Sequence, residues 1–178
     1  MAVTVTARFP TRSLTAPLTR LVTVALAPES ARPGEIAIVL GDDATLRELN
    51  RRYRGIDRAT DVLSFAYEED SPTPALLPAA RVGAGRRRVS GDLVISLPRV
   101  AEQARRYRVT PGHELARLIV HGVLHLTGLD HDRAAERRHM RAREERVLAR
   151  AKTPIEALDR LLGRPVRTVR GHTRAAHA

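Results

Sequence analysis

The alternation of apolar and polar residues predicts a strand at 2–8 and further strands at 35–41, 60–67 and 92–97. Apolar residues at helical spacing predict helices at 11–28, from Asp42 or Asp43 to about Tyr53, and at 99–107, 111–127, 133–152 and 154–163. Pro17 is expected near the first turn of the first helix, where its missing N–H matters least, or it marks a later start of that helix. This order predicts an α+β domain, a small mixed sheet of about four strands packed with about five helices.

The helix predicted at 111–127 carries the candidate chemistry. It is nearly all apolar between its histidines, which is typical of a helix that passes through the core. His121 and His125 are four residues apart and therefore share one face of the helix. Gly128 can end the helix in a left-handed turn, which would allow the chain to double back and bring His131 to the same point.

Three neutral imidazoles that converge in this way predict a transition-metal site on a central helix. Zinc is the simplest occupant, one ion per chain, although another transition metal would suit the same ligands. Three protein ligands leave a fourth position for water, which is typical of a catalytic rather than a structural zinc site.

Two features of the same helix argue against a zinc peptidase. The peptidases that share the spacing of these three histidines carry a glutamate, their general base, directly after the first one, and here that residue is Gly122. The segment HELAR looks like the start of a zinc motif, but Arg117 stands where the second histidine would be. His113 and Glu114 are therefore interpreted as residues of the helix start, after Pro111 and Gly112.

The run HGVLHLTGLDH at 121–131 resembles the signature H-G-x-L-H-L-x-G-Y-D-H of the YbeY endoribonucleases, bacterial rRNA maturation factors. LNRRYRGIDRATDVLSFAYE at 49–68 and GDLVIS at 91–96 are similar to two further segments of that family, in the same order. Two positions depart from the pattern: Leu129 replaces the usual tyrosine, and Ala59 replaces a common proline.

The resemblance implies a single α+β domain, with a cleft between sheet and helices over the metal. It also implies that Arg54 is catalytic, as a bidentate clamp on phosphate. Asp61 and Ser64 are more simply explained as residues that set a turn and fix the strand edge. Asp130 could be a fourth ligand, a hydrogen-bond acceptor for a ligating histidine or a helix cap, and the last two are favoured.

Composition favours a polyanionic partner. The net charge is +11, and Lys152 is the only lysine among 31 basic residues. Aromatic residues make up only 3% of the chain, so stacking of bases on aromatic platforms is not expected. The absence of cysteine excludes thiolate ligands and fits a reducing compartment. Neither a secretory signal nor a membrane span is evident, which favours the cytoplasm.

The region 68–90 is predicted to be a long loop, rich in Pro and Gly, that closes with Arg86, Arg87 and Arg88 as candidate RNA contacts. A plain solvated insertion is the alternative. Residues 1–165 are expected to form one metal-dependent endoribonuclease domain, and 166–178 a basic, disordered tail.

The resemblance to the YbeY endoribonucleases thus implies a metal-dependent endoribonuclease that cleaves single-stranded RNA in rRNA maturation, at the 3′ end of 16S rRNA, and in ribosome quality control. The small ribosomal subunit is the expected partner. Water on the metal or the RNA 2′-hydroxyl could be the nucleophile, and both remain open. The alternatives are a zinc peptidase with a different base and a non-catalytic ribosome-assembly factor with a structural zinc.

Overall fold

A computed structural model describes residues 2–7, 12–67, 88–129 and 133–163. Its strands are β1 (Ala2–Ala7), β2 (Arg32–Gly41), β3 (Val62–Ala66) and β4 (Arg88–Ser96). Its α-helices are α1 (Arg12–Leu26), α2 (Asp43–Arg54), α3 (Leu97–Tyr107), α4 (Pro111–Leu126), α5 (Ala134–Arg150) and α6 (Lys152–Leu162). The predicted α+β class is confirmed, and these ranges contain six α-helices, one for each range that the apolar spacing predicts to be helical. The tail predicted at 166–178 lies outside them.

The four strands form one mixed sheet in the order β1-β2-β4-β3. β1, β2 and β4 are parallel, whereas β3 runs antiparallel to β4 at the edge of the sheet. The two parallel connections contain α1 and α2, because parallel neighbours require a crossover that antiparallel neighbours do not.

Helices cover both faces of this sheet. α2 packs on one face, where Leu46 joins Leu63 and Val94 in a small apolar cluster. α1 and α4 pack on the other face, in a larger core that includes Leu93 and Ile95. Leu93 and Val94 are consecutive in β4 and therefore point to opposite faces. α2 and α4 therefore pack on opposite faces of the sheet.

The predicted start of the fourth strand, at residue 92, is wrong by four residues. Arg88 and Val89 pair with Arg32 and Pro33, and Val89 is buried. The carbonyl of Ser90 also accepts from the Tyr67 N–H (3.0 Å). Residues 88–90 therefore belong to the sheet, because a parallel partner satisfies their backbone groups, and the predicted loop is too long at this end. Residues 68–87 lie outside the described ranges.

Pro17 is another correction, because it lies inside α1 rather than near its first turn. A proline in a helix interior removes one backbone hydrogen bond and costs about 3 kcal/mol. The helix continues through it because its apolar face, including Leu14, Leu18 and Leu21, is buried. Burial of each such side chain contributes about 1.5–3 kcal/mol, which outweighs the cost of the proline.

Candidate active site

α4 crosses the core and carries both helical histidines at its C-terminal half. Thr110 caps its start by accepting from the His113 N–H (3.2 Å), and residues such as Leu118, Ile119 and Val123 are almost fully buried. Gly128 follows the helix with φ +85°, as the sequence predicts, and its N–H donates to the His125 carbonyl (2.8 Å). The left-handed conformation favours glycine because a Cβ would be strained there.

The imidazoles of His121 and His125 converge. Their Nε2 atoms are 3.2 Å apart, and their ring planes cross at 79° with centroids 4.6 Å apart. Two imidazole ligands of one tetrahedral zinc, with Zn–N bonds of about 2.0–2.1 Å, place their nitrogens about 3.3–3.4 Å apart. The two side chains therefore fit a shared metal ion through Nε2.

Glu144 of α5 contacts the other ring nitrogen of His121. Its Oε1 lies 2.6 Å from His121 Nδ1, and the two side chains are only 13% and 22% exposed. A carboxylate is an acceptor only, so in this contact Nδ1 carries the proton. The Nε2 lone pair is then left to face His125.

Sequence reasoning missed Glu144, although a signal was present. Met140 and Val147 are the buried residues of α5. Glu144 lies four residues after the first and three before the second, which places it on the apolar face of a charged helix. A carboxylate at such a position needs a partner.

The third predicted ligand, His131, and the neighbouring Asp130 lie outside the described residues. Within the described ranges, no group of three His, Asp or Glu side chains is arranged to hold a metal ion. The structure therefore brings together two of the three predicted ligands and leaves the third as a prediction.

A cavity of about 600 Å³ opens between α4 and α5 beside this site. His121 and Glu144 line it, as do Arg117, Arg141 and Glu145. The cavity gives solvent access to the Glu144 side of His121.

Arg117 is explained by an ion pair and not by metal binding. It holds the carboxylate of Glu114, which is 1% exposed, at 2.7 Å. This hydrogen bond is the main reason that the pKa of Arg117 is raised; burial acts against it, and the charges of Glu114, Asp61 and Glu144 add to it. Arg117 also donates to Gln103 (3.1 Å), which in turn donates to Asp61 (3.1 Å). The interpretation of HELAR as a helix start is consistent with these contacts.

Arg54 is the last residue of α2 and is exposed. The preceding Tyr53 packs edge-on against Phe65 of β3, with ring centroids 5.3 Å apart, and so anchors the helix end to the edge strand. Arg54 therefore ends a helix that packs on the sheet face opposite α4, the helix that carries the histidine pair. Of the three arginines predicted to contact RNA, Arg88 is exposed at the start of β4, and Arg86 and Arg87 lie outside the described residues.

Gly122 is a contact point between α4 and the sheet. A Cβ at this position would lie 2.7 Å from Cδ2 of Leu93, which is fully buried in β4. A glutamate here would start its side chain against the sheet and not toward the metal position. The packing thus supports the argument against the peptidase.

Comparisons with known proteins agree with the motifs. A model of the family described as Endoribonuclease YbeY matches residues 5–152. A relative of that name from Moorella thermoacetica is 46% identical over 133 residues, which are 74% of this chain and 83% of the relative. Another, from Geobacillus kaustophilus, is 44% identical over 132 residues, 74% of this chain and 82% of the relative.

A solved structure shares the fold. The solution structure of a Thermotoga maritima protein aligns with a TM-score of 0.56 and 23% identity, over 87% of this chain and 95% of that one. It supports the architecture alone. On the match over residues 5–152 and the identity of these relatives, the chain belongs to the Endoribonuclease YbeY family of RNA-cleaving hydrolases, as its motifs predict.

Proposed function

We propose that residues 1–165 form one metal-dependent endoribonuclease domain that cleaves single-stranded RNA during rRNA maturation, at the 3′ end of 16S rRNA, and in ribosome quality control. One zinc ion per chain is held by His121, His125 and His131. The observation that carries this proposal is the 3.2 Å separation of the two Nε2 atoms, in a family of endoribonucleases.

The metal, when bound, supplies a Lewis acid and a water whose pKa falls to about 7. The chain supplies the rest of the chemistry. His121 and His125 present Nε2 lone pairs, and Gly128 turns the chain so that His131 can follow. Arg54 holds the non-bridging phosphate oxygens with its planar guanidinium. Water or the RNA 2′-hydroxyl serves as nucleophile, and these residues suit both.

The position of Arg54 bears on how the RNA would lie. Arg54 and the histidine pair belong to helices on opposite faces of the sheet, and Tyr53, next to Arg54, packs against the edge strand β3. A single strand that contacts both would pass over this edge. Arg88, with Arg86 and Arg87, would add phosphate contacts, and Asp130 would orient a histidine or cap the turn.

The small ribosomal subunit is the proposed partner, and the cytoplasm the proposed location. No helix in the described part of the chain has the length and apolar character to cross a bilayer. The net charge of +11 supports a polyanionic partner. The peptidase alternative is disfavoured because Gly122 packs against Leu93.

The test combines metal content with cleavage. Purified protein should contain about one zinc or similar ion per chain and should cut a single-stranded RNA in preference to the same RNA in a duplex. The double variant His121→Ala/His125→Ala should lose both the metal and the activity. His139→Ala is the control, because His139 is exposed on α5 and outside the predicted ligand set. Full metal content in the double variant would refute the proposed metal site. Wild-type protein that binds metal but cleaves no RNA would support the alternative of a non-catalytic assembly factor.

A further inference from the structure

We propose that Glu144 is a positioning residue, which fixes the tautomer and the ring orientation of His121 so that its Nε2 points to the metal position. The inference rests on the proposed metal site and adds to it a residue from a different helix. Glu144 touches neither substrate nor metal and acts only through His121.

The first argument is the direction of the hydrogen bond. Neutral histidine carries its proton on either ring nitrogen, and only the unprotonated nitrogen can bind a metal. The Glu144 carboxylate accepts from Nδ1 at 2.6 Å, so the lone pair is on Nε2, the atom 3.2 Å from His125. Metal-binding histidines commonly use a carboxylate in this way, which also raises the basicity of the ligand.

The second argument is the place of Glu144 in α5. The buried residues Met140 and Val147 lie on either side of it along the same helix face, and Glu144 itself is only 13% exposed. An apolar residue would pack there without the cost of desolvating a charge. A carboxylate at this position is explained by the imidazole that it holds.

The third argument is that the surroundings keep this carboxylate in place. α5 is tied to the turn after α1 by an ion pair between Arg143 and Glu29. The charge of Glu144 also contributes to the raised pKa of Arg117, so a half-buried cation of α4 attracts it. These contacts therefore restrict the Glu144 carboxylate to positions beside His121.

The chain offers a matched control next to it. Glu145 lines the same cavity and carries the same charge, but it is exposed and lies one position further round the helix. A general effect of negative charge near the cavity would be shared by both glutamates. An effect on the tautomer of His121 is expected only from Glu144, because Glu144 is the glutamate that contacts its Nδ1.

Zinc affinity, measured by competition with a chromogenic chelator, tests the inference. Glu144→Ala should weaken zinc binding by about 10- to 100-fold, the usual cost of removing such a partner. Glu144→Gln should lose less, because its carbonyl oxygen can still accept from Nδ1. Glu145→Ala should match the wild type. The Gln variant, nearly identical in size, keeps the test valid if Glu144→Ala does not fold.

A spectroscopic readout separates positioning from simple helix packing. In the metal-free protein, ¹⁵N NMR of the imidazoles should show His121 protonated at Nδ1 in the wild type and at Nε2 in Glu144→Ala. An unchanged tautomer, or unchanged zinc affinity in a folded Glu144→Ala, would overturn the role of Glu144 while the metal site stands. Wild-type protein that binds no metal, or a His121→Ala/His125→Ala variant that keeps it, would overturn both proposals.

Discussion

Arg54 and His121 differ in how the fold holds them. His121 is mostly buried, with one ring nitrogen bonded to Glu144 and the other facing His125. Arg54 is exposed at a helix end, in the last turn with Arg51 and Arg52. A side chain exposed in this way contributes little to folding, so its role is expected to be in contact with substrate.

Arg54→Ala should therefore leave stability and metal content unchanged and slow RNA cleavage by about 100-fold or more, the loss typical of one transition-state donor. Arg54→Lys should rescue poorly, because a point charge cannot replace a planar fork. Single-turnover cleavage and thermal unfolding measure the two effects. Arg51→Ala, from the same exposed turn, is the control and should lose much less activity. Equal losses of activity in the two variants would show that Arg54 contributes only its positive charge and has no specific catalytic role.

Gly122→Glu should destabilise the protein by more than about 3 kcal/mol and should not produce a peptidase, because a charged side chain would be forced against the buried Leu93. Chemical denaturation and a peptide-cleavage assay measure the outcome. Ala142→Glu, at an exposed position of α5, should change stability by no more than about 0.5 kcal/mol. A stable Gly122→Glu protein would show that α4 can move away from β4.

Among the elements, α4 follows most directly from the sequence. Its apolar composition, the four-residue spacing of His121 and His125 and the glycine after it are local signals, and they predict both its burial and the convergence of the two histidines. The early start of β4 could not be predicted, because it depends on pairing with β2, more than fifty residues earlier. The burial of Glu144 could have been predicted from its spacing to Met140 and Val147, but its contact with His121 could not, since it depends on how two helices pack.

The end of β3 depends on a buried polar contact with β4. Tyr67 donates to the carboxylate of Asp92 (2.5 Å), which is 1% exposed. The pKa of Tyr67 is raised, chiefly by burial and then by the hydrogen bond and charge of Asp92. The fold therefore favours the neutral phenol.

Tyr67→Phe should lower the free energy of unfolding by about 1–3 kcal/mol at neutral pH, because Asp92 loses a buried donor. Since the pKa is raised on folding, the contribution of Tyr67 is complete below its ordinary pKa of about 10 and declines as the pH rises above it. The difference between wild type and variant should narrow over that range. Chemical denaturation of both proteins at pH 8 and at pH 11 measures this difference in unfolding free energy. A difference that stays constant between the two pH values would contradict the raised pKa of Tyr67.

Across the whole molecule, the net charge of +11 and the scarcity of aromatic residues imply RNA binding through phosphate. Such binding weakens as salt rises, with a log–log slope of about −0.7 per neutralised phosphate on single strands. Phosphate contacts position the RNA without specifying its sequence. The basic excess should therefore appear as salt dependence rather than as sequence preference.

Replacing Arg86, Arg87 and Arg88 with Ala should flatten this slope by up to about 2 units if all three contact phosphate. The change should be similar for two unrelated single-stranded RNAs. A triple variant of Arg105, Arg150 and Arg160, which are exposed and scattered, removes the same charge and should flatten the slope less. If the wild type and the variant of Arg86, Arg87 and Arg88 show equal salt dependence, these arginines do not contact phosphate and serve only to keep the surface solvated.

The close approach of Gly122 to Leu93 also constrains how this lineage can evolve. If the codon of Gly122 ends in a purine, one base change converts it to a glutamate codon and creates the motif of a zinc peptidase. That mutation would arise in a protein whose helix and sheet meet with no room for it. A change of chemistry at these histidines is therefore expected to depend also on the side chain at position 93, which a substitution at Gly122 would displace.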